Sequence, residues 1–406
     1  MEPVSSFKPI VLVRYGELAI KSHRVRARMV KILESNMRDA LNRAGIGEYS
    51  IYQAWGRVMV EVPEDKLDKA AFALSRVFGV VSTSPTLSIR FEGLRDIAVA
   101  AHGLWAGRVK DRTFAVRVSR EGEHPFKSID VARIVGSMLY PYSSGVDLER
   151  PEVELYIEVR GDRAYFFERI YEGPGGLPLG SQPGRLLALV SGGFDSPVAY
   201  WLMSRRGALV DALFCSLAPP ADLMAFSRVF RALYENWIFG YDPTVYIADC
   251  SILTRELRAR VNEHLMNVVF KRMLYKLAEG IAIKEGYLGI VTGESLGQVS
   301  SQTLMNLYST SLNLNVPIFR PLIGMDKDDI VKLAKRIGTY EESSKMVEAC
   351  SIFSRRPRTS VKPEELEAEF NKVKDLLNSI RVRAVKASEL GQGSLASVGN
   401  VGCVGS

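Results

Sequence analysis

Cysteine is scarce in this chain. Four occur in 406 residues, at positions 215, 250, 350 and 403, with no CxxC and no Cys/His cluster at zinc spacing. That excludes a zinc finger or ribbon and makes a structural metal an unpromising explanation of the fold. Long apolar runs are missing too. The first one, Ile10 to Val13, is hemmed in by Lys8 and Arg14, and no later stretch approaches the roughly 18 uninterrupted apolar residues of a membrane span. No signal peptide is legible, so the expected location is cytoplasmic. Acid is in short supply as well: 46 Asp and Glu stand against 53 Lys and Arg, a net charge of +7. Such a balance makes nucleic acid the leading class of partner, because phosphate contacts dominate that kind of binding.

What is present divides into three stretches. Over the first 90 residues the pattern is strand (KPIVLV), helix from Ser22, the hairpin EYSIYQAW/RVMVEV about Gly56, helix and strand. This β-α-β-β-α-β order is that of a ferredoxin-like motif. A second small α/β unit follows to residue 172, and the Gly/Pro-rich GPGGLPLGSQPG (173–184) marks a linker. Beyond it, apolar strands alternate with helices, which predicts a doubly wound parallel sheet. From Pro363 the pattern predicts one more helix and a loose Gly/Ser-rich end.

The third stretch opens on an apolar strand that breaks into SGGFDS, residues 191–196. Two glycines allow successive backbone N–H groups to face one anion, and the helix behind them adds its positive end. Ser191 and Ser196 can donate to the same oxygens. A lysine directly after the glycines, as in a P-loop, is absent; the loop's charge is instead the carboxylate of Asp195, which beside a nucleotide makes most sense as a Mg²⁺ ligand.

The loop resembles the PP-loop of the ATP pyrophosphatases, which cleave ATP between its α and β phosphates. VTGESLGQVSSQT (291–303), RPLIGMDKDDI (320–330), CSIFSRRPRT (350–359) and RYGELAIKS (14–22) resemble blocks of one family within that group, the tRNA 4-thiouridine synthetases, or tRNA uracil 4-sulfurtransferases. The resemblance implies an α/β and α+β multidomain fold. Its parts would be an N-terminal ferredoxin-like domain (1–66), a THUMP RNA-binding domain (67–172), the linker, a doubly wound PP-loop domain of adenine nucleotide α-hydrolase type (185–362) and a C-terminal helix and tail (363–406).

Site residues carry over by position. Asp195, Lys327 and Cys350 are the implied catalytic residues, Asp195 also the metal ligand. Leu189, Val190, Ser191, Gly192, Gly193, Ser196, Phe214, Cys215, Lys271, Gly293 and Gln302 are the implied ATP contacts, the strand-end residues acting through their backbone. Lys327 would supply the cation that the loop lacks. Cys350 would carry sulfur as a persulfide; the basic run after it, with no acid before Glu364, favours a thiolate.

The implied reaction uses ATP and Mg²⁺ to adenylate uridine 8 of tRNA, release pyrophosphate and replace the C4 oxygen with sulfur. Many bacterial members append a rhodanese domain that is not seen here, so the expected donor is external, a persulfide-carrying protein or sulfide, and the thiamine role tied to that extension is discounted. Asn267 and Phe270 stand where some archaeal members place CxxC, so no iron–sulfur cluster is expected. Cys403 could close a transient disulfide with Cys350. The expected partners are tRNA and the sulfur donor, without a membrane, and a homodimer is left open. KSHRVRARMVK (21–31) holds five basic residues and no acidic one; Arg24, Arg26 and Arg28 there, with Arg117, Lys127 and Arg133 in the second unit, are the expected tRNA contacts. Arg120 belongs to the same group, and Phe126 is expected to stack on an unpaired base. The alternatives are a non-catalytic tRNA-binding protein with a relict nucleotide site, and a PP-loop enzyme adenylating another substrate.

Overall fold

A computed structural model describes residues 7–345, 356–390 and 400–401. These form two compact units, divided between Gly176 and Leu177. The division falls inside the expected linker. Gly173 and Gly175 donate their N–H groups to the carbonyls of Val81 and Val80 in the first unit, and Leu177 donates to Arg205 in the second.

In the first unit the order is β1 (Lys8–Tyr15), α1 (His23–Arg43), β2 (Ser50–Ala54), β3 (Arg57–Glu61), α2 (Leu67–Leu74), β4 (Val80–Arg90), α3 (Leu94–Trp105), β5 (Thr113–Glu121), α4 (Ser128–Leu139), β6 (Gly145–Val146), β7 (Val153–Arg160), β8 (Arg163–Phe167) and β9 (Tyr171–Glu172). Among the described residues the strands make one nine-stranded sheet, β2-β3-β1-β4-β8-β7-β5-β6, with β9 added to β4. The two small α/β stretches therefore share a sheet, joined where β4 pairs antiparallel with β8 (Leu87 opposite Phe166). One face is covered by helices: α3 and α4 bury Ile97, Ala101, Val131 and Val135 against Phe114, Leu155 and Val159. On the other face Ile10, Leu12, Met59, Tyr165 and Phe167 form a second core. All of β1 from Ile10 to Val13 is inaccessible, as expected for a strand packed on both faces.

The second unit runs β10 (Arg185–Leu189), α5 (Asp195–Arg205), β11 (Leu209–Ser216), α6 (Ala221–Trp237), β12 (Thr244–Asp249), α7 (Ser251–Arg260), α8 (Met266–Glu285), β13 (Ile290–Val291), α9 (Leu304–Ser311), β14 (Ile318–Phe319), α10 (Lys327–Ile337), α11 (Tyr340–Ser343), α12 (Pro363–Asn371), β15 (Arg381–Lys386) and β16 (Asn400–Val401). The sheet order is β14-β13-β10-β11-β12-β15-β16. Its first five strands are parallel neighbours. From β10 the chain builds outward through β11 and β12, then returns to add β13 and β14 on the other side. The crevice at the carboxyl end of β10 is thus the switch point where doubly wound sheets bind ligands.

Two features depart from the sequence reading. Residues 381–386, read as part of a tail, form β15, antiparallel to β12 (Val245 opposite Val385), and β16 pairs with it in turn; the sheet therefore continues past residue 362 and into the end expected to be loose. And Cys215 and Cys250, for which the sequence reading gave no pairing, form a disulfide between the ends of β11 and β12, with Cα atoms 5.7 Å apart. Adjacent parallel strands bring their last residues within bridging distance. No helix among the described residues is long and apolar enough to cross a membrane.

Candidate functional site

The SGGFDS loop leaves β10 and enters α5 at Asp195. Its two serines brace it. The Ser191 N–H donates to Ser196 Oγ at 2.8 Å, the two hydroxyls lie 3.0 Å apart, and the Gly193 N–H reaches Ser191 Oγ at 3.3 Å. The loop is therefore held in its turn before any anion arrives, and the helix start behind it has N–H groups without intrahelical partners, as helix N-termini do. Val190 donates its N–H to the Leu213 carbonyl, which sets Leu189 and Val190 beside Phe214 and Cys215. The Phe214 side chain is buried and stacks on Phe226, centroids 4.3 Å apart. Only its backbone remains for a nucleotide.

Asp195 and Lys327, 132 positions apart in the chain, meet here: Lys327 Nζ donates to Asp195 Oδ1 at 2.8 Å. The other carboxylate oxygen accepts from Gln298 Nε2 at 2.9 Å. Lys327 also lies 5.3 Å over the Phe194 ring, which stacks on Tyr340, and Ser343 Oγ donates to the Gly193 carbonyl at 3.3 Å. So α10 and α11 bear directly on the loop. Gln298, Phe194, Tyr340 and Ser343 carry no signal that separates them from ordinary loop and helix residues in the sequence.

The TGES turn after β13 supplies the neighbouring wall. Gly293 is needed for close approach: a Cβ there would sit 2.6 Å from Ser196 N. Its partner is thus the start of α5. Glu294, almost wholly buried, accepts from Lys271 Nζ at 2.6 Å, from Arg320 Nε at 2.6 Å and from Thr292 Oγ1 at 3.0 Å. Burial pushes its carboxyl up, but Lys271 and Arg320 outweigh burial and pull the pKa down to about 2. Lys271, expected at the phosphates, is seated on this carboxylate. Gln302, expected at the nucleotide, uses its side-chain oxygen to accept from Ser295 N–H at 3.0 Å, a brace for the same turn. Cys350 and Cys403 lie outside the described residues.

Among the described residues no group of three or more His, Cys, Asp and Glu could hold a metal ion by itself. Asp195 alone still fits Mg²⁺, which is bound by one or two carboxylates together with substrate phosphates rather than by an all-protein cage.

Three family models match the chain in sequence: a ThiI ferredoxin-like domain over residues 10–84, a THUMP domain over 92–167 and the thiamine biosynthesis protein ThiI over 180–374. The tRNA sulfurtransferase of Thermoplasma volcanium is 46% identical over 382 residues, covering 94% of this chain and 78% of its own length. This chain belongs to the tRNA sulfurtransferase family. The tRNA sulfurtransferase of Pyrobaculum aerophilum is likewise 46% identical, over 92% of this chain and 76% of that one. Among solved structures, a 4-thiouridine synthetase–RNA complex with bound ATP superposes with a TM-score of 0.75 at 28% identity, covering 93% of this chain and all of that one.

The residues expected to contact tRNA lie in the first unit. Arg24 and Arg28 are exposed one turn apart at the start of α1, whose first turn has no acidic residue. Cations at a helix N-terminus oppose its dipole, so stability alone does not favour them there. Arg26 folds back onto the Ala19 carbonyl at 3.3 Å. Lys127 and Arg133 are exposed at and on α4. Arg117 is paired within the unit, with Glu154 at 2.8 Å and the Leu148 carbonyl at 2.7 Å. One expectation needs correction. Phe126 is 8% exposed and packs between Phe91 and His124 in the core, so it offers no open face to a base.

Proposed function

We propose that this tRNA sulfurtransferase adenylates the C4 oxygen of uridine 8 of tRNA with ATP and replaces that oxygen with sulfur, giving 4-thiouridine. The observation that carries the nucleotide half is the meeting of Asp195 and Lys327 over a braced PP-loop at the switch point of the sheet. Uridine O4 attacks the α phosphorus and the bond to the bridging oxygen breaks. The pyrophosphate leaves into the loop amides and the N-terminus of α5, where preorganised donors oppose its growing charge. Lys327, released from Asp195, supplies the cation; Asp195, released in turn, would hold Mg²⁺ through the phosphates. When bound, that ion would neutralise charge on the leaving pyrophosphate. Lys271 and Arg320, locked on Glu294, keep positive charge beside the loop without having to be ordered at each turnover.

Sulfur then displaces AMP from C4. Cys350 is the proposed carrier, as a persulfide whose outer sulfur comes from the persulfide of an external protein; that sulfur attacks C4, AMP leaves, and a second thiol cleaves the resulting S–S bond, leaving 4-thiouridine and a disulfide at Cys350. Sulfide, as the alternative donor, would attack C4 directly. Ser343, bonded to the loop, precedes Cys350 by seven positions. A chain that long reaches at most about 25 Å, a span that supports sulfur delivery from Cys350 to the crevice. On the far side the Arg356 carbonyl accepts from the His264 ring at 2.8 Å, and the Arg358 N–H donates to the His264 carbonyl at 3.0 Å. Asn267 and Phe270 at the start of α8 offer no thiolates beside Lys271, which supports transfer without an iron–sulfur cluster. Soluble tRNA as substrate supports a cytoplasmic location.

The test incubates the protein with ATP, Mg²⁺, sulfide and unmodified tRNA and analyses the nucleosides. We expect 4-thiouridine in step with pyrophosphate, abolished by Cys350→Ser when the donor is a persulfide. Pyrophosphate release with no thionucleoside refutes the acceptor chemistry.

A further inference from the structure

The aromatic residue that the first unit does leave open is Trp55, at the tip of the β2–β3 hairpin. It is 51% exposed, whereas Trp105, Trp201 and Trp237 are buried. Its backbone is left-handed (φ 51°), as is that of Gly56 (φ 70°). Two-residue hairpin turns of that kind favour Asn-Gly, and a large side chain there is strained by roughly 1–3 kcal/mol. The surroundings hold it in place. Gly161 at the β7–β8 turn (φ 55°) leaves the space for the indole, since a Cβ there would sit 2.5 Å from Trp55 Cζ2. Gly122 approaches the same ring, its would-be Cβ 3.7 Å from Trp55 Cζ3. His124 ties these turns together, its Nε2–H donating to the Gly161 carbonyl at 2.7 Å while Arg120 donates to Nδ1 at 3.0 Å. Arg160 donates to the Trp55 carbonyl itself at 2.8 Å.

Beside this ring the charges do not balance. Glu158, 3% exposed, accepts from Arg14 at 2.8 Å, from Arg57 at 3.1 Å and from Arg160. Three guanidinium groups share one carboxylate. Burial lowers the pKa of Arg57; Glu158 raises it, and Arg160 and Arg14 lower it further, so a second anion would favour its charged form. Arg57 follows Gly56 directly and remains 25% exposed along its side chain. The exposed Glu121 and Glu123, on either side of Gly122 in the chain, disfavour an anion on their side of the ring.

We propose that Trp55 is a stacking platform for one unpaired nucleotide of the RNA substrate, with the nucleotide's phosphate met by Arg57, backed by Arg14 and Arg160. This rests on the reading of the chain as acting on tRNA. It adds a specific contact that a phosphate track on α1 cannot provide, because a flat ring selects an unstacked base whereas surface arginines accept any backbone.

Intrinsic fluorescence tests it directly, since Trp55 is the exposed indole. Titration with a short single-stranded RNA should quench the wild-type emission, and a duplex of the same length should not. Trp55→Ala should weaken single-strand binding by at least about fivefold, the lower end of one lost base stack, and raise the KM for tRNA with it. Trp55→Phe should recover most of the affinity. A thermal melt checks that the variants fold; if Trp55→Ala does not, the wild-type quenching decides alone. Absent quenching, or wild-type affinity in a folded Trp55→Ala, overturns the platform while leaving tRNA thiolation by the wild type intact. If the wild type neither binds nor thiolates tRNA, the functional reading falls and the platform with it.

Discussion

Replacing Glu294 with glutamine removes one charge from a buried triad and leaves Lys271 and Arg320 facing each other. The carboxylate is almost wholly buried, and its pKa of about 2 lies below the ordinary 4.5. At 1.36 kcal/mol per unit that shift corresponds to about 3 kcal/mol of folding stability. The same order follows from mutational experience, in which breaking a buried ion pair by removing one partner costs about 3–5 kcal/mol. Because the folded-state pKa is the depressed one, the contribution is complete above pH 4.5, where the unfolded chain is also ionised, and is lost as pH falls from 4.5 towards 2. Denaturant unfolding of wild type and Glu294→Gln across this range therefore gives a difference of about 3 kcal/mol at neutral pH that shrinks as the acid limit is approached. A variant as stable as wild type at pH 7, or a difference that does not change with pH, would refute the view that Glu294 is an ionised anchor. The same variant should bind ATP more weakly, since Lys271 loses the carboxylate that seats it.

Lys327→Ala should lower turnover by about 10²–10³, the usual loss of one transition-state donor, while costing under about 1 kcal/mol of stability because the pair with Asp195 is half in solvent; normal pyrophosphate release would remove Lys327 from the reaction. Gly293→Ala places a methyl group 2.6 Å from Ser196 N, and the resulting shift at the start of α5 should cost about 1–3 kcal/mol and most of the pyrophosphate release; wild-type turnover would contradict the close approach. The Cys215–Cys250 bond closes a loop across a separation of 35 residues, worth about 4 kcal/mol by chain entropy, so a melting scan with thiol should show a lower Tm than one without. Neutralising Arg24 and Arg28 together should flatten the salt dependence of tRNA binding by nearly one unit of slope per arginine that meets a phosphate; an unchanged slope would move the track elsewhere.

The strand-and-helix order was legible because it is local. Alternation at period two or 3.6, broken by glycine and proline, is written in consecutive residues, and the PP-loop was legible for the same reason: its glycines, serines and aspartate lie within six positions. Partnership is a different kind of information. Lys271, Glu294 and Arg320 lie 23 and 26 positions apart, and each by itself reads as a solvated charge or a loop acid. Nothing short of the folded sheet says that they share one buried point. Lys327 was singled out by family resemblance, not by its surroundings, since a lysine at the first turn of a helix has no local mark of function. β15 was only partly readable: RVRAVK begins with alternating basic and apolar residues, as a half-buried strand does, but Ala384-Val385 breaks the alternation, and the Gly/Ser-rich residues after it draw the whole end towards the reading of a tail.

Exposure is harder still, as the aromatic residues show. Phe126 lies next to Lys127, and Trp55 two positions before Arg57; the sequence reading names Phe126, in the RNA-binding unit, as the ring that stacks on a base. The fold reverses that choice. Phe126 is drawn into the α3–α4 core, while Trp55 stands at a hairpin tip with φ > 0, and its glycine neighbours Gly122 and Gly161 reach it only in the folded unit. A stacking platform needs one face packed and one face free, and that condition is a property of tertiary placement rather than of residue type. Composition can therefore nominate a nucleic-acid partner, and spacing can nominate a phosphate loop, but which ring meets a base is decided by long-range packing.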